Sequence, residues 1–224
     1  MNFWVKLCGT TTIADAKLAA DYGANYSGLV VEVPFSERSV TVDQAKRLNQ
    51  YTPIPTVILV FDQPTDWILS AIEYISPFAV QLLGNETPVQ VAELKKNSEV
   101  EIWKSLFMPA GETVNVADLR RKVMAHVAAG TDAILLDTID LSQNRFGGTG
   151  KTGDWEAAAS ITKESPVATF LSGGINPQNV EEAIRMVQPN GIDLCSGVEF
   201  SKGKRDAKKV RSLMAIVKQM VKKT

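Results

Sequence analysis

Short apolar runs rich in β-branched residues alternate along the whole chain with longer amphipathic stretches. We count eight runs, each followed by a helical pattern, and the predicted strands are Trp4–Cys8, Tyr26–Val31, Thr56–Phe61, Ala79–Leu82, Glu101–Leu106, Ala133–Leu136, Ala168–Ser172 and Gly191–Leu194. This rhythm indicates parallel strands joined by crossover helices. Eight units of similar length predict an α/β fold, a single (β/α)8 TIM barrel over residues 1–224. A doubly wound open sheet shows the same alternation and stays open as an alternative.

Charge and composition exclude several classes of protein. The 24 Lys and Arg residues nearly balance the 25 Asp and Glu residues, so no broad basic surface for nucleic acid or an anionic membrane is expected. No run of 18 apolar residues and no signal-peptide pattern occurs, which makes the cytoplasm the expected compartment. Two cysteines and one histidine predict neither a disulfide framework nor a metal site.

Two glycine-rich segments predict a phosphate site. Gly173 and Gly174 follow the seventh predicted strand in LSGGIN, and Ser196 and Gly197 follow the eighth in DLCSGVEF. Glycine lets backbone N–H groups approach an anion closely, and barrels commonly bind a substrate phosphate in these two loops. Either motif alone could be only a tight turn, but their occurrence in adjacent loops favours a barrel of the phosphate-binding type.

Asp137 is the first candidate for proton transfer. It ends the run AILLD at the rim where a barrel gathers its catalytic groups. A partly desolvated carboxyl group there has a raised pKa and can act as a general acid, although an Asp that braces the following loop is the alternative. The loop 146–151, which contains Gly148 and Gly150, has the small residues of a cover over a site.

Cys8 is the second candidate. It shares strand parity with Lys6, and both should point into the barrel because the intervening residues are apolar. A nearby ammonium lowers the pKa of a thiol and makes a thiolate base available, although a free cysteine is more often a small buried apolar residue. Lys6 could instead pair with Asp193 on the eighth strand. His126, the only histidine, is expected on a helix surface.

Taken together, these motifs resemble those of the phosphoribosylanthranilate isomerase family over nearly the full chain. The segments that carry the resemblance are VKLCGTTTIADA (5–16), ILLDTIDLSQNRFGGTGKTGDW (134–155), SGGINPQNVEEAI (172–184) and DLCSGVE (193–199). The resemblance implies a barrel that converts N-(5-phosphoribosyl)anthranilate to its 1-deoxyribulose isomer by an Amadori rearrangement in tryptophan biosynthesis, without a cofactor.

The resemblance also implies roles for particular residues. Cys8 falls on the general base of the family and Asp137 on its general acid. Arg38, which could bind a carboxylate through forked hydrogen bonds or be a solvated loop residue, falls on the arginine associated with the anthranilate carboxylate. We expect it across the barrel mouth from the phosphate loops. The cover residues Gly148 and Gly150 are expected to bind substrate, and the two glycine-rich loops fall on the phosphate site.

Three positions depart from the family pattern. Leu83 replaces the histidine of a QLHG motif, Glu37 replaces a proline, and Cys195 stands where serine is common. The alternatives are therefore a diverged barrel that isomerises another aminoaldose phosphate, or a non-catalytic protein that binds a phosphorylated ligand. The expected partner is a small phosphorylated substrate, and the protein could be a monomer or a homodimer. Cys8 and Cys195 could also form a disulfide if their Cα atoms lie within ~7 Å.

Overall fold

The computed structural model describes residues 3–140, 145–146 and 152–223. Within these residues eight strands form the barrel: β1 (Trp4–Leu7), β2 (Tyr26–Val31), β3 (Thr56–Val60), β4 (Ala79–Leu82), β5 (Glu101–Pro109), β6 (Ala133–Asp140), β7 (Ala168–Leu171) and β8 (Gly191–Leu194). Eight helices follow them: α1 (Ile13–Tyr22), α2 (Val42–Tyr51), α3 (Thr65–Ile75), α4 (Pro88–Asn97), α5 (Val116–Ala128), α6 (Trp155–Glu164), α7 (Val180–Val187) and α8 (Ala207–Lys223).

The parallel sheet closes on itself. Each barrel strand pairs with the next one in the chain, and Lys6 of β1 lies opposite both Tyr26 of β2 and Asp193 of β8. In an open doubly wound sheet, β1 and β8 would not pair with each other, and the strand order would not follow the chain from one edge to the other. The predicted (β/α)8 barrel is confirmed, and the doubly wound alternative is excluded.

Polar residues at the strand-to-helix junctions explain where several helices begin. The Thr41 side chain accepts a hydrogen bond from the backbone N–H of Gln44, and the Gln44 side chain accepts one from the N–H of Thr41. This capping box satisfies two N–H groups that the helix itself cannot pair. Thr12 and Thr87 cap α1 and α4 through the same kind of side-chain acceptor. These caps fix the helix starts and so shape the loops between them and the strands.

The barrel interior is filled by aromatic side chains near the strand starts. The Trp103 ring stacks on Phe170 with a centroid distance of 4.9 Å and meets Tyr26 edge-on at 5.1 Å. Such contacts add to the free energy gained from burying the rings. On the outer face of the barrel, Val5 and Leu7 of β1 pack in the layer between the strands and the helices. Because the aromatic rings fill the half of the barrel near the strand starts, the polar side chains lie at the mouth, where the strands end.

Two details differ from the sequence analysis. Strands β5 and β6 run several residues further than predicted, since they stay paired from Trp103 opposite Ala133 to Pro109 opposite Ile139. The expectation for His126 is wrong: its side chain is buried, and its ring nitrogens lie 2.9 Å from the carbonyl oxygen of Lys122 and 3.1 Å from that of Glu86. None of the helices in the described ranges is long and apolar enough to cross a membrane.

Candidate active site

A buried ion pair lies below the mouth of the barrel. Lys6 Nζ of β1 donates to Asp193 Oδ2 of β8 at 2.9 Å, and both side chains are almost fully buried. This confirms the inward direction of Lys6, and it shows the pairing with Asp193 that the sequence left as an alternative. The Asp193 Oδ1 atom is also buried and has no hydrogen-bond partner among the described residues. The pair places one positive and one negative charge where both β1 and β8 end.

Cys8 directly follows β1, two residues after Lys6, and is buried beside this ion pair. A hydrogen bond from the Cys195 thiol lowers the pKa of Cys8, and the Lys6 ammonium lowers it further, which together outweigh the opposing effect of burial. A Cβ atom on Gly28 would lie 2.9 Å from Cys8 Sγ and 3.1 Å from Lys6 Nζ, so only glycine leaves room for both groups there. The surroundings therefore favour a thiolate at Cys8.

Asp137 of β6 is also buried, and it is close enough to Lys6 and Asp193 to interact with both charges. Burial raises the pKa of this carboxyl group to about 7; the Thr138 N–H, which donates to Oδ1 at 2.7 Å, and a hydrogen bond with Ser172 oppose the rise, and the negative charge of Asp193 adds to it. A carboxyl group with a pKa near neutrality is suited to donate a proton under physiological conditions. The structure thus gives Asp137 the environment of an acid and Cys8 that of a base.

The loops after β7 and β8 lie against each other. Gly173 and Gly174 both have positive φ angles, 86° and 66°, and a Cβ atom on Gly197 would lie 1.9 Å from the carbonyl oxygen of Ile175. The backbone N–H groups of Gly173, Gly174, Ser196 and Gly197 have no acceptor among the described residues. Adjacent unpaired N–H groups form a concavity that suits an anion. The geometry fits the predicted phosphate site.

We expect Gly173→Ala to lower the affinity for inorganic phosphate by at least ~10-fold, about 1.4 kcal/mol. A Cβ atom there meets Thr138 Oγ1 at 2.2 Å, and the positive φ angle strains any L-residue. Gly111→Ala is the matched control, because Gly111 also has a positive φ angle but nothing lies within 4 Å of the added Cβ atom. Isothermal titration with phosphate measures the difference. Unchanged affinity in Gly173→Ala would remove this loop from the phosphate site.

Arg38 does not lie across the mouth as expected. Its Nε and Nη2 atoms donate to Glu199, which follows β8, at 2.8 and 2.6 Å, and the ion pair is buried. The hydrogen bonds to Glu199 raise the pKa of Arg38 further above its ordinary value. Glu199 also accepts from the N–H of Gly203 at 3.0 Å. The guanidinium is therefore fixed on the β8 side, and Nη1 is the nitrogen without a hydrogen-bond acceptor among the described residues.

Arg205 is a residue of the site region that the sequence analysis did not identify. It is buried, and Nη2 donates to the carbonyl oxygens of Leu7 and Cys8 at 2.7 and 3.1 Å and to Thr10 Oγ1 at 2.8 Å. Arg205 lies opposite Glu199 in a short hairpin after β8. One hairpin thus carries the residue that holds Arg38 and the residue that holds the end of β1. Glu199 ends the motif DLCSGVE, but its pairing with Arg38 was not predicted, and no sequence signal marked Arg205.

The remaining predicted residues are distributed as follows. Gly148 and Gly150 lie outside the described residues. Leu83, in the position of the family's histidine, is buried, and Glu37 forms an ion pair with Lys202 on the hairpin. An apolar wall borders the Cys8 side of the mouth and consists of Val30, Val33, Leu59, Phe61 and Cys195.

Comparison with known proteins identifies the family. The family model for N-(5'phosphoribosyl)anthranilate (PRA) isomerase matches residues 5–216. The N-(5'-phosphoribosyl)anthranilate isomerase of Methanocella arvoryzae is 36% identical over 217 residues, which are 96% of this chain and 97% of that protein. The enzyme of the same name from Aquifex aeolicus is 36% identical over 215 residues, covering 94% and 96%.

Comparison with solved structures leads to the same family. The crystal structure of phosphoribosyl anthranilate isomerase from Thermotoga maritima matches with a TM-score of 0.83 at 29% identity, over 97% of this chain and 99% of that one. A phosphoribosyl anthranilate isomerase in complex with reduced 1-(o-carboxyphenylamino)-1-deoxyribulose 5-phosphate matches with a TM-score of 0.80 at 27% identity, over 97% and 99%. With its closed barrel, its two glycine loops and matches over nearly its whole length, the chain belongs to the N-(5'-phosphoribosyl)anthranilate isomerase family.

Proposed function

We propose that this protein converts N-(5-phosphoribosyl)anthranilate to 1-(2-carboxyphenylamino)-1-deoxyribulose 5-phosphate, the isomerisation of tryptophan biosynthesis. The observation that carries the proposal is the pairing of two proton-transfer groups with opposite pKa shifts around one ion pair. The pKa of Cys8 is lowered and that of Asp137 is raised to about 7, while Lys6 and Asp193 act electrostatically on both. Such divergence of two neighbouring groups is the pattern that separates a base from an acid.

The reaction needs two proton transfers. Asp137 donates its proton to the furanose ring oxygen, which opens the ring to a Schiff base. The Cys8 thiolate then removes the proton from C2, and the resulting enolamine tautomerises to the ketone. Both steps are general acid–base catalysis by side chains of this chain, and we propose that no cofactor or metal takes part.

Substrate binding is divided among three parts of the mouth. The N–H groups of Gly173, Gly174, Ser196 and Gly197 would bind the phosphate. Arg38 would use Nη1 for the anthranilate carboxylate, and the apolar wall, including Phe61, would contact the aromatic ring. We propose that Gly148 and Gly150 complete the substrate site from their loop. Residues 1–224 would form one domain that acts in the cytoplasm as a monomer or a homodimer.

A comparison of two substrates tests this proposal. We expect a kcat/KM for phosphoribosylanthranilate at least ~10²-fold above that for an aminoaldose phosphate without a carboxylated ring, because Arg38 and the apolar wall would have nothing to bind in the latter. The measurement is the initial rate with each substrate at equal protein concentration. A preference for the ring-free substrate would support the diverged barrel instead, and no turnover of either would support a binding protein.

We expect a bell-shaped dependence of kcat/KM on pH. The rate should rise with pH as the Cys8 thiol ionises, and fall through about pH 7 and above as Asp137 loses the proton that it must donate. The ultraviolet absorbance of the thiolate, taken as the difference between wild type and Cys8→Ser, follows the first ionisation separately. A rate that stays constant from about pH 5 to 9 is incompatible with these roles.

We expect Arg38→Met to weaken binding of a reduced, non-isomerising substrate analogue about ten- to a hundredfold, the range for a lost charge-assisted hydrogen bond. Binding of inorganic phosphate should change much less, because Glu199 already balances the charge of Arg38 on the β8 side. Arg38→Met alone leaves the Glu199 carboxylate buried without its cation, which is destabilising. The double variant Arg38→Met/Glu199→Gln removes this buried charge and serves as the control for stability. If the double variant binds the analogue as tightly as wild type, Arg38 has no part in carboxylate recognition.

A further inference from the structure

Cys8 and Cys195 occupy neighbouring positions at the ends of two paired strands. Leu7, the last residue of β1, lies opposite Leu194, the last residue of β8, and a cysteine directly follows each of them. The Cys8 N–H donates to the Leu194 carbonyl oxygen at 2.7 Å. Paired strands are about 4.8 Å apart. A disulfide needs Cα atoms about 4.4–6.8 Å apart. The register of the two strands therefore points to a spacing of the two cysteines that a disulfide can bridge.

Both cysteines also belong to one cluster of side chains, because Cys195 packs against the group that contains Cys8. Cys195 Sγ donates to Glu199 Oε1 at 3.9 Å, and both cysteines are free. The neighbouring thiols lower the pKa of Cys8 and raise that of Cys195. Gly9, directly after Cys8, has a positive φ angle of 73°, and a Cβ atom there would lie 2.9 Å from Cys195 Sγ. Glycine at this position lets the side chains of Cys195 and Arg38 pack directly against the backbone that follows Cys8.

The chemistry of the pair differs between its members. Cys8 is buried beside Lys6, which favours the nucleophilic thiolate, whereas Cys195 is half-buried and more accessible. An oxidised thiolate with a neighbouring thiol condenses to a disulfide, while one without a neighbour proceeds to sulfinic acid, which is not reversed by ordinary thiols. In this chain the second thiol stands beside the proposed catalytic base.

We propose that Cys8 and Cys195 form a thiol oxidation site for hydroperoxides, in which an intramolecular disulfide reversibly inactivates the site at the barrel mouth. The Cys8 thiolate attacks one oxygen of hydrogen peroxide, and the O–O bond breaks. Hydroxide is the leaving group, and Cys8 becomes a sulfenic acid. Cys195 then attacks the Cys8 sulfur, losing its own proton, and a second hydroxide leaves as the S–S bond forms. The cysteines lose two electrons and peroxide is reduced to water.

The consequence for activity rests on the function proposed above, whereas formation of the bond does not. A disulfide removes the thiolate that would take the C2 proton. A dithiol reductant restores it by exchange, in which the reductant becomes the cyclic disulfide and both cysteines regain their protons. Oxidation at the catalytic base is then protective, since the bridged form resists further oxidation.

The test compares wild type with Cys195→Ser after brief exposure to dilute hydrogen peroxide. Each sample is analysed by intact mass under denaturing conditions, and its isomerase rate is referred to its own untreated rate before and after dithiothreitol. For wild type we expect a monomer lighter by two hydrogen atoms and a rate that falls at least ~10-fold and returns with dithiothreitol. For Cys195→Ser we expect a mass increase by two oxygen atoms and no return of the rate.

Two results would overturn the proposal. The first is wild-type protein that only gains oxygen or forms a disulfide between chains, and the second is Cys195→Ser that recovers as fully as wild type. The mass measurement separates this proposal from the catalytic one. A chain without isomerase activity would still lose two hydrogen atoms if the two cysteines form the bond.

Discussion

Replacing Asp137 by Asn is expected to lower kcat by at least ~10²-fold, because an amide cannot donate the proton that opens the furanose ring. The amide oxygen can still accept the hydrogen bond from the Thr138 N–H, so the local structure should be kept. Steady-state kinetics with phosphoribosylanthranilate measure the loss, and circular dichroism checks the fold. Near-wild-type turnover would mean that another group protonates the substrate.

The same substitution is expected to raise the free energy of unfolding at alkaline pH. Because burial raises the pKa of Asp137 to about 7, the folded protein keeps a proton that the unfolded chain releases near pH 4. The stability of wild type therefore falls as the pH rises between these values, by up to about 4 kcal/mol in total. An amide does not ionise in this range, so the free energy of unfolding of Asp137→Asn should increase relative to that of wild type as the pH rises.

Urea unfolding of both proteins at about pH 4 and pH 8 measures this difference. The free energy of unfolding of Asp137→Asn minus that of wild type should be larger at the higher pH. A gap of the same size at both values would show that Asp137 ionises in the folded state much as it does in the unfolded chain. A substitution that removes catalysis while adding stability is typical of a residue held in a costly environment for its chemistry.

Replacing Cys8 by Ser is expected to lower kcat by at least ~10²-fold as well, because a serine hydroxyl does not ionise near neutral pH and cannot take the C2 proton as a thiolate does. Cys195→Ser is the matched control: it alters the neighbouring thiol but keeps a hydrogen-bond donor beside Cys8, so its loss of kcat should be much smaller. Equal losses in the two variants, or a near-wild-type rate in Cys8→Ser, would contradict the assignment of Cys8 as the base.

Local sequence rules predict the barrel and the direction of its key side chains. Alternating apolar residues on β1 place Val5 and Leu7 towards the helices, and this alone turns Lys6 and Cys8 inward. The number of strands favours closure of the barrel, which the structure shows, and closure brings Asp193 beside Lys6. The acid, the base and the phosphate loops lie at strand ends, where the fold gathers its functional groups.

The contacts that fix these groups depend on distant parts of the chain and could not be predicted in this way. Arg38 resembles a solvated loop residue in sequence, yet it meets Glu199, 161 positions away. Arg205 reaches the carbonyl of Cys8 from 197 positions away, through a hairpin with no distinctive composition. His126 is buried because its ring meets the Glu86 carbonyl of a neighbouring loop. Each contact is decided by tertiary packing rather than by local pattern.

The most direct test of the central claim is the rate at which freshly generated phosphoribosylanthranilate is converted to the carboxyphenylamino-deoxyribulose phosphate. We predict that wild type forms this product far faster than the reaction without protein, and that the double variant Cys8→Ser/Asp137→Asn forms it no faster than either single variant. Product formation by wild type at the spontaneous rate, or undiminished formation by the double variant, would contradict the account.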